Sequence, residues 1–300
     1  MANKIEVIFL GTGSAVPTTK KNHPAILLKY KDENILFDCG EGTQRQFRKA
    51  GLNPCKLTRL FISHWHGDHI LGIPGLLQTL MLNNYAGTLE VYGPNGTEKF
   101  MSKIMGIFIP RGEIKINIHE ISAGKVLETN DFEIIAEEME HNIFCLAYRF
   151  VEKDKLRIDK NKLKKLKLHN SPLIKELKLG KDVTINKKRI KAKDVTYLEK
   201  GKKLGFVLDT RNNPNIEKIA RDADLFVCES TYFDEEELAK EYMHLTVAQA
   251  ADVAKRAKVK KLFLTHLSQR YDRDEKKVLQ LAKKYFKNSE VAHDLMKISL

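Results

Sequence analysis

A dense group of metal-binding side chains follows one apolar segment of the chain. Residues 57–63 are mainly apolar, and His64-Trp65-His66-Gly67-Asp68-His69 comes directly after them. In an extended segment, His64 and His66 point the same way, and a turn at Gly67 can bring Asp68 and His69 to a second position. Zinc accepts histidine nitrogen and carboxylate oxygen, so this pattern predicts a site that can serve two metal ions.

Further ligands must come from other strand ends, because six residues cannot complete two metal sites. The candidates each close an apolar segment: His141 after 132–138, Asp209 after 204–208 and His266 after 262–265. A single histidine at the end of a strand is more often structural, but the three together strengthen the prediction. Asp209 could bridge two ions, since a carboxylate has two oxygens. Two zinc ions about 3.5–4 Å apart can clamp both oxygens of an in-line phosphoryl displacement.

Glu229 and His244 form a second candidate pair. Glu229 ends the apolar segment 225–228, and His244 precedes Leu245-Thr246. A carboxylate that is hydrogen-bonded to an imidazole favours the protonated ring, which can donate a proton to a leaving oxygen. The alternative is that Glu229 caps a turn and His244 caps a helix.

The glycine-rich stretch Gly11-Thr12-Gly13-Ser14 leaves a similar choice open. Its backbone N–H groups could meet a phosphate or line the site. It lacks the full phosphate-binding loop pattern, so a tight turn is the alternative.

Strands and helices alternate along both halves of the chain. Strands are predicted at 5–10, 26–30, 34–38, 57–63, 89–92, 114–120, 126–129, 132–138, 144–150, 204–209, 225–229 and 261–265. Helices are predicted at 43–50, 74–82, from about 96, and at 214–220, 245–258 and 274–286. This order favours an α/β protein in which two packed sheets are covered by helices.

The positive charge of the chain is concentrated in one segment. The net charge is +13, and residues 152–203 alone hold 19 Lys or Arg against 7 Asp or Glu. This segment interrupts the strand–helix pattern and predicts an inserted polyanion-binding element. Neither of its lysine-rich stretches, 153–167 and 181–193, has enough apolar surface for an independent core. Residues 156–168 could form a one-sided basic helix or a solvated lysine-rich loop.

Composition excludes several other classes of protein. A chain with 42% hydrophobic and 30% charged residues is not largely disordered. No apolar run approaches the roughly 20 residues that span a bilayer. The cysteines, Cys39, Cys55, Cys145 and Cys228, form no CxxC pair, so we expect buried, reduced thiols and a cytoplasmic location, with no membrane partner.

The motifs resemble those of the ribonuclease Z family of the metallo-β-lactamase superfamily. His64 to His69 reads H-x-H-x-D-H, the superfamily signature. Further family-like stretches lie at 9–18, 36–46, 70–77, 228–232, 244–246 and 266–271. The resemblance runs from about residue 4 to residue 295. It implies a single α/β domain over 1–300, folded as an αββα four-layer sandwich, with residues 152–203 as an inserted basic arm.

The resemblance also implies site residues and a cofactor. One zinc ion would be held by His64, His66 and His141, and the other by Asp68, His69 and His266. Asp209 would bridge the two ions, and Asp68 would also assist proton removal from the attacking water. Glu229 and His244 would protonate the leaving 3′ oxygen.

The implied activity is removal of the 3′ trailer from precursor tRNA by a zinc-dependent endoribonuclease. The tRNA would keep a 3′-hydroxyl and the trailer a 5′-phosphate, and short members of the family are homodimers. The arm would bind the tRNA away from the active site. Its candidate substrate-binding residues are Lys153, Lys155, Arg157, Lys162, Lys164, Lys165 and Lys167.

This sequence departs from the family pattern at a few positions. Leu208 stands where the family has glycine before the bridging aspartate, and Ser171 replaces the glycine of the arm's Gly-Pro. In the loop after Gly13, Thr19 replaces lysine and Lys21 replaces arginine. Two other functions stay open: a zinc phosphodiesterase for small esters, and a non-catalytic RNA-binding protein. The basic segment is hard to explain for a small-ester phosphodiesterase. The complete set of expected metal ligands disfavours a non-catalytic RNA-binding protein.

Overall fold

Residues 4–110, 112–165, 173–185 and 188–300 are described by a computed structural model. Its strands are β1 (Ile5–Gly11), β2 (Ala25–Tyr30), β3 (Glu33–Phe37), β4 (Arg59–Phe61), β5 (Thr88–Gly93), β6 (Lys115–Glu120), β7 (Gly124–Glu128), β8 (Phe132–Met139), β9 (Cys145–Glu152), β10 (Lys155–Ile158), β11 (Val183–Ile185), β12 (Lys188–Ile190), β13 (Thr196–Glu199), β14 (Lys203–Val207), β15 (Leu225–Glu229), β16 (Leu262–Thr265), β17 (Ser289–Val291) and β18 (Lys297–Ser299). Its helices are α1 (Thr43–Lys49), α2 (Gly67–Ile70), α3 (Ile73–Leu82), α4 (Thr97–Met105), α5 (Lys160–Lys165), α6 (Leu173–Lys178), α7 (Ala192–Val195), α8 (Asn215–Ala220), α9 (Glu236–Glu241), α10 (Val247–Arg256) and α11 (Glu275–Tyr285).

Two large sheets form the centre of the fold. The first has the order β18-β1-β2-β3-β4-β5-β6, antiparallel from β18 to β3 and parallel from β3 to β6. The second has the order β17-β16-β15-β14-β9-β8-β7, and β14 to β17 run parallel. Parallel strands need crossover connections, and helices provide them in both sheets.

The sheets pack face to face, and helices cover their outer faces. Between the sheets, the ring of Phe37 stacks on Phe206 with centroids 4.3 Å apart, and Phe61 meets Tyr148 edge-on at 5.1 Å. On the outer faces, α1, α3 and α4 pack on the first sheet, and α8, α10 and α11 pack on the second. This is the predicted αββα sandwich, and the fold class is confirmed.

The strand topology gathers the polar strand ends at one edge. Asp38 follows β3, and the histidine motif follows β4, the parallel neighbour of β3. In the second sheet, Asp209 follows β14, Glu229 ends β15 and His266 follows β16, and these three strands are also parallel. The carboxyl ends of parallel neighbours lie at the same edge of a sheet, which is where α/β proteins bind ligands.

The chain divides into two compact units. The larger contains Met1–Leu127, Ile134–Phe150 and Lys203–Leu300, and the smaller contains Glu128–Glu133 and Val151–Lys202. Within the smaller unit, β10 pairs with β13 and β11 pairs with β12, both antiparallel. The prediction of one domain with an arm at 152–203 stays a prediction.

The smaller unit has a hydrophobic core of its own, in which these side chains are buried: Leu163, Leu177, Val183, Ile190, Ala192 and Val195. Both lysine-rich stretches contribute to this core together with residues outside them, which a composition count of either stretch does not reveal. The choice between one basic helix and a loop at 156–168 is corrected for the described part, because residues 156–158 belong to β10 and residues 160–165 form α5. Residues 166–168 lie outside the described residues.

Two expectations drawn from composition can also be compared with the structure. Within the described chain, Cys39, Cys145 and Cys228 are buried free thiols as expected, whereas Cys55 is half-buried. No helix in the described part of the chain combines the length and apolarity needed to cross a bilayer.

Candidate metal centre

The histidine motif is divided between an extended segment and a helix. His66 has extended backbone angles and is the N-cap of α2, which begins at Gly67. Asp68 and His69 therefore lie in the first helical turn, where the sequence predicted only a turn. This change of direction points His64 and His66 to one position and Asp68 and His69 to another.

The first position collects three imidazoles and one carboxylate oxygen. His66 Nδ1 lies 3.0 Å from His64 Nε2 and 3.2 Å from His141 Nε2. Asp209 Oδ2 lies 3.6 Å from His64 Nε2 and 3.8 Å from His141 Nε2. The structure thus brings together the residues predicted for one metal ion.

The second position is built from the remaining predicted ligands. Asp68 Oδ2 lies 3.3 Å from His69 Nε2 and 3.4 Å from His266 Nε2. Asp209 Oδ1 lies 3.4 Å from His69 Nε2 and 3.2 Å from His266 Nε2. The two oxygens of Asp209 therefore face different groups of ligands, as a bridging carboxylate requires.

These residues fit a pair of metal ions. Zinc–nitrogen bonds of about 2.0–2.1 Å in tetrahedral geometry separate two ligand atoms by about 3.3 Å, close to the distances above. Within the described residues, His69 Nε2 and Asp209 Oδ1 are buried without a hydrogen-bond partner. Buried polar atoms are normally satisfied, so these two atoms, which face one another among the other candidate ligands, are suited to bind a cation.

The electrostatics of the centre also suit a cation. Burial, together with the neighbouring His69, holds the pKa of His64 well below its usual value, so the ring is neutral. Burial likewise lowers the pKa of His66 and of His141. Burial opposes charge on Asp209, yet His266 and His69 hold its pKa well below the usual value. His69 differs: burial alone would lower its pKa, but Asp209, Asp68 and Asp38 raise it well above the usual value. Because neutral imidazoles and ionised carboxylates ligate metals, a metal ion at this position would displace the proton of His69.

A residue that was not predicted, Asp38, orients both groups of ligands. Its Oδ2 lies 2.5 Å from His69 Nδ1 and accepts a hydrogen bond from Ser63 Oγ at 2.7 Å. Ser63 Oγ lies 2.9 Å from His64 Nδ1. These contacts occupy Nδ1 of both rings and leave Nε2 free toward the centre. The available signal was an aspartate at the end of the predicted strand 34–38, which is the strand that precedes the one leading into the motif.

Glu229 and His244 form a hydrogen-bonded pair beside the centre. His244 Nδ1 lies 2.9 Å from Glu229 Oε1, and Glu229 is fully buried. Burial alone would lower the pKa of His244, but the Glu229 carboxylate reverses this effect and raises it to about 9. The cap of α10 is Thr246, which forms a capping box with Gln249, so His244 is not the helix cap.

Thr231 connects this pair to the metal centre. Its hydroxyl donates to Glu229 Oε2 at 2.7 Å and lies 2.9 Å from His266 Nδ1. The backbone N–H of Thr210, next to Asp209, donates to Glu229 Oε1 at 2.8 Å. Glu229 thus holds a candidate proton donor and the segments of two candidate ligands in one arrangement.

A cavity of about 290 Å³ opens onto the centre. Its lining includes His66, Asp68, His141, His244, His266 and Arg270, and the segment 14–16. The glycine stretch beside it is closely packed: Gly13 N donates to Asn22 O, and a Cβ at Gly11 would lie 1.7 Å from His23 O. Ser14, the last residue of the stretch, lines the cavity, so the stretch borders the candidate site and does not close a tight turn.

The predicted substrate-binding residues lie in the smaller unit. Three of them are paired with acidic side chains: Lys153 with Glu128, Lys155 with Glu152 and Arg157 with Glu199. Lys162 and Lys164 are exposed on α5, where the side chain of Lys165 is not described. Lys167 lies outside the described residues.

Several known proteins are similar to this chain. A family model described as the anti-Pycsar protein Apyc1 matches residues 5–100, less than half of the chain. The ribonuclease Z of Methanothermobacter thermautotrophicus is 41% identical over 298 residues, which cover 99% of this chain and 97% of that protein. The ribonuclease Z of Listeria welshimeri is 39% identical and covers 97% of this chain and 98% of its own length.

Solved structures agree with these sequence matches. The short form of human tRNase Z has a TM-score of 0.72 and 27% identity, over 98% of both chains. The metallo-β-lactamase-fold protein YhfI of Bacillus subtilis also reaches a TM-score of 0.72, but at 17% identity it shows similarity of fold alone. Because identity near 40% extends over almost the full length of its relatives, this chain belongs to the ribonuclease Z family.

Proposed function

We propose that this chain is a zinc-dependent endoribonuclease that removes the 3′ trailer from precursor tRNA. The observation that carries the proposal is Asp209, whose two oxygens face two groups of ligands next to the Glu229–His244 pair. Membership of the ribonuclease Z family supports the same activity. The products would be a tRNA with a 3′-hydroxyl and a trailer with a 5′-phosphate.

Seven side chains would hold two zinc ions. His64, His66 and His141 would bind one ion, and Asp68, His69 and His266 would bind the other, with Asp209 shared between them. Such ions supply Lewis-acid stabilisation of the charge that develops on the phosphoryl oxygens. The protein's part is to hold the imidazoles and the ionised carboxylates at fixed positions, with His64, His66 and His141 already in the neutral form.

Asp68 is suited to accept a proton from the attacking water. Burial opposes its ionisation, but His69 and His266 hold its pKa below the usual value, so the group is a carboxylate. Its side chain is 11% exposed and lines the cavity. A carboxylate in this position can both ligate and orient a water molecule.

His244 is suited to donate a proton to the leaving 3′ oxygen. Its Nδ1 is bound to Glu229, so the other ring nitrogen is available to the cavity that His244 lines. The carboxylate stabilises the protonated ring, which is the form a general acid needs before the reaction. Glu229 does not line the cavity, so its role is to position and charge His244.

The smaller unit would bind the tRNA through its phosphates. Lysine and arginine contacts to phosphates supply affinity without reading sequence, and double-stranded RNA is recognised mainly by shape. Lys162 and Lys164 are the strongest candidates because they are exposed and, in the described part of the chain, have no acidic partner. Lys153, Lys155 and Arg157 would have to exchange an acidic partner for a phosphate.

Two further properties stay predictions. A homodimer is implied by the family resemblance. A cytoplasmic location is implied by the cysteine pattern.

Cleavage of a 3′-extended precursor tRNA tests the proposed function. We expect cleavage next to the acceptor stem, loss of activity with a metal chelator and recovery on addition of zinc. Asp209→Asn should abolish cleavage, because an amide has one acceptor oxygen and cannot bridge two ions. Asp224→Asn is the matched control: Asp224 directly precedes β15 and accepts from Lys203 N at the start of β14, at the end of these strands opposite to the metal edge.

Mapping the product ends to the nucleotide separates this function from the alternatives. Hydrolysis of a small phosphodiester without any cutting of precursor tRNA would favour the small-ester phosphodiesterase. Tight RNA binding without metal or cleavage would favour the non-catalytic binding protein.

A further inference from the structure

A half-buried carboxylate near the end of the chain joins three separate segments. Asp294 Oδ1 accepts a hydrogen bond from Thr12 Oγ1 at 2.9 Å. Asp294 Oδ2 accepts from the backbone N–H of Asn22 and from Gln46 Nε2, both at 2.8 Å. Thr12 follows β1, Asn22 precedes β2, and Gln46 lies on α1. The mechanism proposed above does not use this carboxylate.

Thr12 and Asn22 are the two ends of the loop 13–21, which forms one wall of the cavity. Residues 14–16 line the cavity together with candidate metal ligands, and Val16 is 47% exposed. The backbone oxygen of Thr12 also accepts from the backbone N–H of His266 at 3.0 Å. By holding both ends of the loop, Asp294 fixes this wall next to a predicted ligand.

Other contacts hold the same loop along its length. His23 Nε2 lies 3.2 Å from the backbone oxygen of Ala15. Lys21, only 2% exposed, places Nζ 3.0 Å from Asp272 Oδ1 and 3.0 Å from Glu275 Oε1. The loop 13–21 is therefore held at its base by Asp294, in its middle by His23 and near its end by Lys21.

We propose that Asp294 is a positioning residue for RNA cleavage, which holds the loop 13–21 as a fixed wall against which the RNA is seated. The inference rests on the proposed function and deepens it. A wall ordered before binding lowers the entropy that must be lost when the substrate is oriented. Asp294 touches no reacting atom, so it acts through the loop on how the RNA is held.

The substitution Asp294→Asn tests this role. An amide offers one acceptor oxygen and one N–H₂ donor, so at least one of the three donors loses its partner. We expect the KM for precursor tRNA to rise about tenfold, the effect of losing roughly one buried hydrogen bond. The kcat for precursor tRNA, hydrolysis of bis(p-nitrophenyl) phosphate and the zinc content should stay close to wild type. The amide of Gly13, which donates to Asn22 O, should exchange faster with solvent.

Asp224→Asn provides the matched control. Asp224 is 8% exposed and, like Asp294, accepts from a backbone N–H, but it lies at the opposite end of the second sheet. The Asp224→Asn variant should leave unchanged both the KM for precursor tRNA and the hydrogen-exchange rate of the Gly13 amide. If Asp294→Asn fails to fold, Thr12→Val removes one donor at similar volume and should shift KM in the same direction.

Two results would overturn the role of Asp294. One is an unchanged KM for precursor tRNA in Asp294→Asn, and the other is an equal loss of activity on both substrates. In either case, cleavage of precursor tRNA by the wild type would leave the proposed function standing. Failure of the wild type to cleave precursor tRNA would overturn the proposed function, and this inference with it.

Discussion

Asp38 shows how one side chain can control both groups of candidate metal ligands. Its Oδ2 contacts His69 directly and reaches His64 through the hydroxyl of Ser63. Its Oδ1 accepts from the backbone N–H of Ser63, and all of these partners lie more than twenty positions further along the chain. Asp38 has a φ of 55°, a left-handed conformation that aspartate and asparagine tolerate better than most residues. Asparagine can therefore replace it without backbone strain.

We predict that Asp38→Asn weakens zinc binding about 10–100-fold, the usual effect of losing an outer partner of a ligating histidine. The amide removes the negative charge that stabilises the His69 ring. Titration of metal-free protein with zinc against a competing chelator would measure this change, with Asp224→Asn as the matched control. Wild-type zinc affinity in Asp38→Asn would contradict the role assigned to Asp38.

The elements of the smaller unit differ in how far their positive charge is neutralised. On and next to β10, basic side chains pair with acidic ones, as in Lys153–Glu128 and Arg157–Glu199. Three lysines of α5 are exposed and form no ion pair with any described residue: Lys160, Lys162 and Lys164. The buried Leu163 anchors this helix to the core of the unit, so its lysines face solvent.

We predict that replacing Lys160, Lys162 and Lys164 together by glutamine lowers the salt dependence of tRNA binding by about 3 logarithmic units per decade of salt, roughly one for each phosphate that a lysine no longer neutralises. The control replaces Lys153, Lys155 and Arg157, which removes the same number of charges from ion-paired positions. Binding measured over a series of salt concentrations would compare the two variants. An equal fall in slope would show that the ion-paired residues bind phosphates as well.

As a whole molecule, the protein has its candidate chemistry in one unit and most of its net positive charge in the other. Every candidate ligand, together with Glu229 and His244, belongs to the larger unit. The smaller unit begins and ends close together, since Glu152 N donates to the backbone oxygen of Lys202 at 2.8 Å. A two-residue turn can close two paired strand ends of this kind.

We predict that replacing residues 153–201 by Asn-Gly leaves a folded, zinc-binding protein that still hydrolyses bis(p-nitrophenyl) phosphate. Its affinity for precursor tRNA should fall strongly and lose most of its salt dependence, because most of the phosphate-binding side chains are removed. Calorimetry, metal analysis and binding at two salt concentrations would test each part. Loss of small-substrate hydrolysis together with tRNA binding would contradict a separable arm.

The sequence alone predicted features that are written locally in the chain. The strand–helix order follows from short-range apolar patterns, and nearly every predicted element has a counterpart within a few residues. The αββα class was implied by the family resemblance. The ligand types were visible because His64, Asp209 and His266 each follow an apolar strand. The family resemblance then assigned them to two groups, which the distances bring together.

Hydrogen bonds and packing contacts between residues that are distant in sequence are visible in the three-dimensional structure alone. Asp38 and Asp294 have no local pattern that reveals their hydrogen bonds, because these join segments up to 282 positions apart. The core of the smaller unit likewise arises when residues that are separated in sequence meet. The same is true of the ion pairs near β10, which the exposed lysines of α5 lack within the described residues. Strand ends could be read from the sequence because apolar periodicity is local, whereas the partners of buried polar groups are fixed only when the strands pair.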